Sequence, residues 1–151
     1  MMDTLATIVT ADLVRHEGYK EEVYLDSVGE KTFGIGHLVT PQDDEWVKPV
    51  GASVSSDRIA DAFRGDLRTA YFVAYGIFDD LANRPMEVQR VLINMAFNLG
   101  GPRLRQFKKM IAAYEAEDYT TMADEMQDSK WFRQVGSRGR ELVARIRKLG
   151  E

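Results

Sequence analysis

Apolar residues open the chain at helical spacing: Leu5, Ile8, Val9, Leu13 and Val14 lie along one stripe. That stripe predicts an amphipathic helix from about Asp3 to Glu17, with Asp3 as its N-cap. Gly18 follows Glu17 directly, where a helix C-terminus favours a residue without a side chain. The pattern then changes period. Val23 to Asp26 reads as a strand, Ser27 to Glu30 as a turn, and Lys31 to Leu38 as a returning strand. With the turn centred on Gly29, Asp26 and Thr32 are predicted cross-strand partners, side chains about 5 Å apart on one face. Alternation puts Thr32, Gly34 and Gly36 on that face and Phe33, Ile35 and His37 on the other. The two glycines either relieve strain or leave room for a ligand to approach the backbone; beside Thr32 the second reading is preferred.

Residues 40–54 hold two prolines, Gly51, Trp46 and three acids, and read as a long loop with room for a short third strand. Ser55-Ser56-Asp57 then starts a long helix. Its apolar stripe (Ile59, Ala62, Phe63, Leu67, Ala70, Tyr71, Ala74) is interrupted only by Asp66. An unpaired Asp there reads as a carboxylate at the stripe's margin, but His37, on the inward face of its strand, needs a polar partner. Asn83 and Pro85 begin a helix from Met86 to Leu99 that is apolar on almost every side until Gly100 ends it, the pattern of a central helix. Helices from Arg103 to Tyr114 and from Asp118 to Gln127, then Trp131-Phe132 and a last helix from Ser137 to Leu149, close a bundle. The methionines read as core filler. Trp131 reads as core, with Gln134 or Asn98 available to its indole N–H.

At 151 residues and 44% apolar content the chain is one globular domain by expectation. It has no cysteine, which removes disulfides and thiol-based metal or redox sites. No window approaches the roughly 18 apolar residues of a membrane span, so no membrane insertion is expected. The first positive charge is Arg15, and polar residues interrupt the apolar run before it, so no signal peptide is read. The net charge of −4 is uneven. Residues 130–151 carry seven Lys/Arg against two acids, and Arg103, Arg105, Lys108 and Lys109 form a second basic cluster. A solvated helix face is the plainer account; a surface suited to a polyanionic polymer is the functional one. Nucleic acid is disfavoured, because no binding motif accompanies the charge.

The candidate chemistry lies in Arg15-His16-Glu17-Gly18-Tyr19, Tyr24-Leu25-Asp26 and Thr32-Phe33-Gly34-Ile35-Gly36-His37. Two carboxylates and a hydroxyl supply an acid for a leaving oxygen and a base for water, the kit for hydrolysing a glycosidic bond. Taken singly, Glu17 is also readable as a surface acid, Asp26 as a turn residue and Thr32 as a β-former. Glu17, eight residues, Asp26, five residues, Thr32, then Gly34-Ile35-Gly36-His37 resembles the T-even-type phage lysozymes, glycoside hydrolase family 24. The resemblance returns at Arg90 to Gly100 and at Trp131-Phe132-Arg133-Gln134.

The resemblance implies an α+β, lysozyme-like fold and a muramidase acting on bacterial peptidoglycan. A small hairpin-containing N-terminal lobe, about residues 15–58, is joined by a long helix to a helical lobe, 59–151, on which the N-terminal helix packs. The substrate cleft lies between the lobes. Glu17 would be the general acid, since a helix end beside apolar neighbours suits an acid that must carry its proton. Asp26, ionised, and Thr32 would hold a water on the far face of the sugar, inverting the anomeric centre. Gly36, Leu38 and Phe97 match substrate-binding positions, core packing being an equal reading for Phe97. His37 and Asp66 match a structural salt bridge. No metal or organic cofactor is required. The chain is expected to be a monomeric endolysin, held in the host cytoplasm until a holin releases it to the periplasmic wall. The family's basic net charge is reversed here, and two polar cleft positions align with Met110 and Glu125, which are not assigned. The rivals are a virion tail-associated lysozyme, a lytic transglycosylase and a non-catalytic wall-binding module; Asp26 and Thr32 argue against the last two.

Overall fold

The computed structural model describes residues 4–151; the predicted N-cap Asp3 lies outside them. The described residues form a three-stranded antiparallel sheet and eight α-helices, an α+β fold with the sheet near the N-terminus. They divide into two compact units: Thr10–Thr69, and the residues up to Val9 together with Ala70–Glu151. The division thus runs through the long helix rather than at its start near residue 58.

In the first unit, helix α1 (Thr4–Glu17) ends where Gly18 takes φ +81° and its N–H reaches the Val14 carbonyl at 2.9 Å. Strands β1 (Lys20–Leu25), β2 (Lys31–Gly34) and β3 (His37–Leu38) follow in that order. The predicted continuous return strand is broken. Gly34 and Gly36 sit at φ +64° and +63° and turn the chain between them, so Phe33 pairs with His37 and Thr32 with Leu38. Simple alternation fails there because a left-handed backbone reverses direction, which glycine does without a side-chain clash. The long loop contains a 3₁₀ turn, Asp44–Val47. Its end lies along the free edge of β1, where Val23 N–H donates to Ala52 O (2.9 Å) and Val54 N–H to Glu21 O (3.0 Å). The Lys31 ammonium donates to the carbonyls of Glu45, Trp46 and Lys48, tying that loop to β2. Helix α2 (Ser56–Ile77) is capped by Ser55, whose hydroxyl accepts from Arg58 N–H at 3.1 Å.

The second unit is organised around α3 (Met86–Leu99), whose Val88, Val91, Leu92, Ile93 and Met95 are fully buried. Instead of one helix from Arg103 to Tyr114 there are two, α4 (Gly101–Leu104) and α5 (Lys108–Glu115). Phe107 leaves helical geometry between them (φ −78°, ψ 56°) and sets its ring edge-on to Trp131, centroids 6.3 Å apart. Helices α6 (Tyr119–Gln127), α7 (Lys130–Val135) and α8 (Ser137–Leu149) complete the unit. Asp118 and Ser129 cap α6 and α7 by accepting from Thr121 and Phe132 N–H groups. Met110, Met122 and Met126 are buried as core filler. The Trp131 indole donates to Asn98 Oδ1 at 2.7 Å.

Gly34 joins sheet to helix. A Cβ placed on it would lie 2.8 Å from Ile59 Cγ2, in a backbone conformation that side chains disfavour. Gly34→Ala is therefore expected to cost about 2–4 kcal/mol, from left-handed strain plus overpacking. Combining it with Ile59→Ala should relieve the overpacking part, so the two effects are expected to be non-additive in urea denaturation. Strict additivity would mean that Ile59 does not set the cost.

Candidate active site

Glu17 is the last residue of α1 and half-buried. The chain folds back onto it at Gly36: a Cβ built there would lie 2.6 Å from Glu17 Oε1 and 2.9 Å from its Cδ. The two glycines therefore do not hold open a space for ligand, as the sequence suggested. The space beside Gly34 is taken by Ile59 and that beside Gly36 by the Glu17 carboxylate.

Asp26 and Thr32 are not cross-strand partners. Tyr24 pairs with Thr32, Leu25 with Lys31, and Asp26 N–H donates to Glu30 O at 2.9 Å. The loop is Ser27-Val28-Gly29, with Gly29 at φ +85°. This is the three-residue hairpin in which glycine fills the left-handed position after the turn rather than its centre. Asp26 is thus diagonal to Thr32 across Tyr24, still on the same face, because alternate residues share a face. Its Oδ1 accepts from Val28 N–H (3.0 Å) and Glu30 N–H (2.8 Å), so the carboxylate that shapes the turn is itself oriented by it. Among the described residues Oδ2 accepts no hydrogen bond. Thr32 is 4% exposed, and its hydroxyl donates to Glu30 O at 3.0 Å, leaving the oxygen's lone pairs as acceptors.

Tyr24 lies in the stretch singled out in the sequence, but no role was read for it there. Burial first, then the charges of Glu17 and Asp26, push its phenol above the ordinary value, so the ring lies within electrostatic reach of both carboxylates. Lys20 places its ammonium 4.2 Å from the ring centroid. The signal was present in the period-two spacing of Tyr24 and Asp26.

His37 sits between two carboxylates. Its Nδ1 is 2.7 Å from Asp66 Oδ2 and its Nε2 is 2.9 Å from Asp43 Oδ2. Only the imidazolium, with two N–H donors, satisfies both. Asp43 also accepts from Thr40 N–H (2.8 Å) and from Arg58 Nη2 (2.9 Å). Arg58 grips Glu45, which is 3% exposed, at 3.0–3.3 Å. Asp43, Arg58 and Glu45 carried no sequence signal, because they meet only when the loop folds over the first turn of α2. Burial alone would lower the His37 pKa, but hydrogen bonds and charge from Asp66 and Asp43 overcome it and raise the value. Burial likewise opposes ionisation of Asp43, and Thr40, His37 and Arg58 outweigh it, holding the carboxyl below its usual range. Arg58 does the same for Glu45 and is itself raised.

Of the remaining predicted residues, Leu38 is 51% exposed and pairs with Thr32. Phe97 is half-buried on α3, in the second unit. The unit Thr10–Thr69 therefore contains Glu17, Asp26, Thr32, Gly36, Leu38, His37 and Asp66 together, and Phe97 does not belong to it.

The phage lysozyme family profile matches residues 14–148. A probable T4-type lysozyme of Dictyostelium discoideum is 29% identical, over 88% of this chain and 90% of its own length. The peptidoglycan hydrolase gp36 of Pseudomonas phage phiKMV is 25% identical over 89% of this chain, which corresponds to 14% of that protein. The pre-baseplate central spike protein Gp5 of Enterobacteria phage T4 is 28% identical over 87% of this chain and 26% of its own length.

The His37 network ties stability to pH from both sides. The raised His37 pKa contributes stability that is full below about 6.5 and lost as pH rises through the folded value. The lowered Asp43 and Glu45 pKa values contribute stability that is full above about 4.5 and lost as pH falls through their folded values. The melting temperature should therefore peak between those limits. His37→Gln should flatten the alkaline decline and shrink, without abolishing, the acid limb, since Thr40 and Arg58 still hold Asp43 and Arg58 still holds Glu45; an unchanged alkaline limb would separate the decline from His37.

Proposed function

The chain belongs to the phage lysozyme family, and we propose that Glu17 is its general acid while Asp26 and Thr32 hold the attacking water. The family membership makes it a glycoside hydrolase, a lysozyme-type muramidase acting on peptidoglycan. The observation that carries the residue assignment is the hydrogen bonding of Asp26 and Thr32. Asp26 spends Oδ1 on two backbone N–H groups and keeps Oδ2. Thr32 spends its proton on Glu30 O and keeps its lone pairs. Two acceptors on one strand face take the two hydrogens of a water, and the water's own lone pair is then directed outward at an anomeric carbon. Glu17, whose charge reaches Tyr24's phenol as Asp26's does, protonates the departing glycosidic oxygen. A water held this way attacks the face opposite the leaving group, so the reaction inverts configuration.

In this reading Gly36, with no Cβ, lets the backbone close on Glu17 and limits its rotamers. Leu38 and Phe97 contact the glycan strand, and the pair of His37 with Asp66 is structural. We further propose a free, monomeric endolysin that folds in the host cytoplasm and reaches the periplasmic wall when a holin permeabilises the membrane. The Dictyostelium relatives align over about nine-tenths of their own length, which favours a free-standing enzyme. Gp5 and gp36, where the matching region is a small share of a larger protein, favour the second reading, a virion-associated lysozyme. Among the described residues no helix is long and apolar enough to cross a membrane.

Glu17→Gln should reduce wall clearing by about 10²–10⁴-fold with the melting temperature unchanged. Near-normal clearing would remove Glu17 from the mechanism. Proton NMR of the first-formed product should show the α-anomer; a β-anomer would overturn the role given to Asp26 and Thr32. For delivery, cells expressing the chain alone should lyse only after chloroform. Recovery of the chain from purified virions would favour the second reading.

A further inference from the structure

The phenols of this protein differ in what their hydroxyls do. Tyr114 donates to Asp79 O at 2.7 Å, Tyr75 donates to Gln89 Oε1, and the Tyr119 oxygen accepts from Arg84 at 3.3 Å. Those three hydroxyls belong to the fold. The Tyr24 hydroxyl forms no hydrogen bond with the described residues. Its ring is held by the face instead, with the Lys20 ammonium 4.2 Å from the centroid. Lys20 is itself exposed and forms no ion pair with the described residues. The ring is thus anchored in a way that leaves its polar end unused.

That unused hydroxyl stands among the groups proposed for the chemistry. Tyr24 is the direct cross-strand partner of Thr32, which sets their side chains about 5 Å apart, and it precedes Asp26 by two residues on the same face. Burial and the charges of Glu17 and Asp26 hold the phenol above its ordinary pKa, so it keeps its proton. Carboxylates are strong acceptors and take such a proton where distance allows. Neither does so here, which leaves a donor for a group that arrives with the substrate.

We propose that Tyr24 is a specificity-determining residue whose phenol donates to the acetamido carbonyl of the muramic acid ring being cleaved. This role rests on the reading of Glu17 as the acid and of Asp26 and Thr32 as holders of the water. Acid and water then lie on opposite faces of the ring, with the anomeric carbon between them. Tyr24, beside Thr32 and within reach of the Glu17 charge, meets the ring at the edge that carries this carbon. Two groups adjoin it there, the ring oxygen and the acetamido group on the neighbouring carbon. The ring oxygen gains positive charge in the transition state, so a donor aimed at it would oppose the reaction. A hydrogen bond to the neighbouring substituent strengthens in the transition state instead. A ring bearing a free amine offers no carbonyl there, and a site built around a hydrogen bond discriminates against a substrate that lacks it.

Peptidoglycan partly de-N-acetylated with alkali presents both kinds of ring in one substrate. Mass spectrometry of the released fragments gives the ratio of N-acetylated to free-amine muramic acid at the new reducing ends. The parent should favour N-acetylated rings, and Tyr24→Phe should lower that preference about three- to ten-fold, the loss expected of one hydrogen bond. Its melting temperature should stay unchanged, because the hydroxyl removed bonds none of the described residues. The ratio is internal to one reaction, so a smaller amount of folded enzyme does not move it. No preference in the parent, an unmoved preference in Tyr24→Phe, or loss of cleavage at both kinds of ring overturns the role. A β-anomer from the parent overturns the reading of Asp26 and Thr32 and this role with it. An α-anomer with an unmoved preference overturns the role of Tyr24 alone.

Discussion

An imidazolium between two carboxylates holds the sheet-bearing unit together. That unit spans residues 10–69, a length at which an apolar core alone is marginal. Its core is correspondingly small, with Phe33, Ile59 and Val23 at the centre. His37 packs tilted against Phe33, centroids 4.8 Å apart, and joins three separate pieces: its own hairpin, α2 through Asp66, and the long loop through Asp43. Arg58 extends the chain of alternating charge to Glu45 and lies 5.1 Å over the Phe33 ring. Breaking one member strands the next as a buried charge, so these residues stand or fall together. The apolar and ionic parts of the unit meet on one phenylalanine.

That staple bears on the candidate site through the glycines. His37 pairs with Phe33 only because the chain turns at Gly34 and Gly36, and the same turn presses Gly36 onto the Glu17 carboxylate. One backbone feature therefore both creates the staple and packs the proposed acid. On the other side of the hairpin, Lys31 anchors the loop beside Thr32, while Asp26 is held by the turn it caps. Each polar group proposed for catalysis is thus fixed by neighbours that have no role in the chemistry, the supporting arrangement that precise sites need.

Much of this was legible in the sequence where a local rule governs. Helical stripes located α1, α2, α3 and α8 to within a residue or two, and Gly18 and Gly100 end α1 and α3 as glycines at helix ends do. The hairpin was legible in outline but its register was not. Gly29 reads as a turn centre, yet the three-residue loop puts glycine one place later, and that shift makes Tyr24 rather than Asp26 the partner of Thr32. The break between α4 and α5 was hidden for a different reason. Leu104, Phe107, Met110 and Ile111 keep helical spacing across it, while Phe107 turns out of the helix towards Trp131, a partner more than twenty residues away. Asp43 and Glu45 look like two more acids in a polar loop; only the tertiary approach of Arg58 shows that Glu45 is buried.

Charge counting along the chain misled most where it looked strongest. The C-terminal run is the larger concentration of positive charge, but three of its arginines are drawn into the fold: Arg145 and Arg147 pair with acids on α3, α6 and α8 itself, and Arg138 donates to the buried Asn94. Arginine suits that work, since its planar fork satisfies two acceptors at once and its stem packs on apolar surface. Arg103, Lys108, Lys109 and Lys130 are exposed and form no ion pair among the described residues; three of these four are lysines, compact and strongly hydrated, which gain little from an exposed intramolecular pair. A net charge of −4 therefore coexists with a local positive field, because the acids are dispersed or already paired and the lysines are concentrated without partners. The local field of a folded protein is set by the charge left unpaired after folding and by where the fold gathers it, more than by the net count.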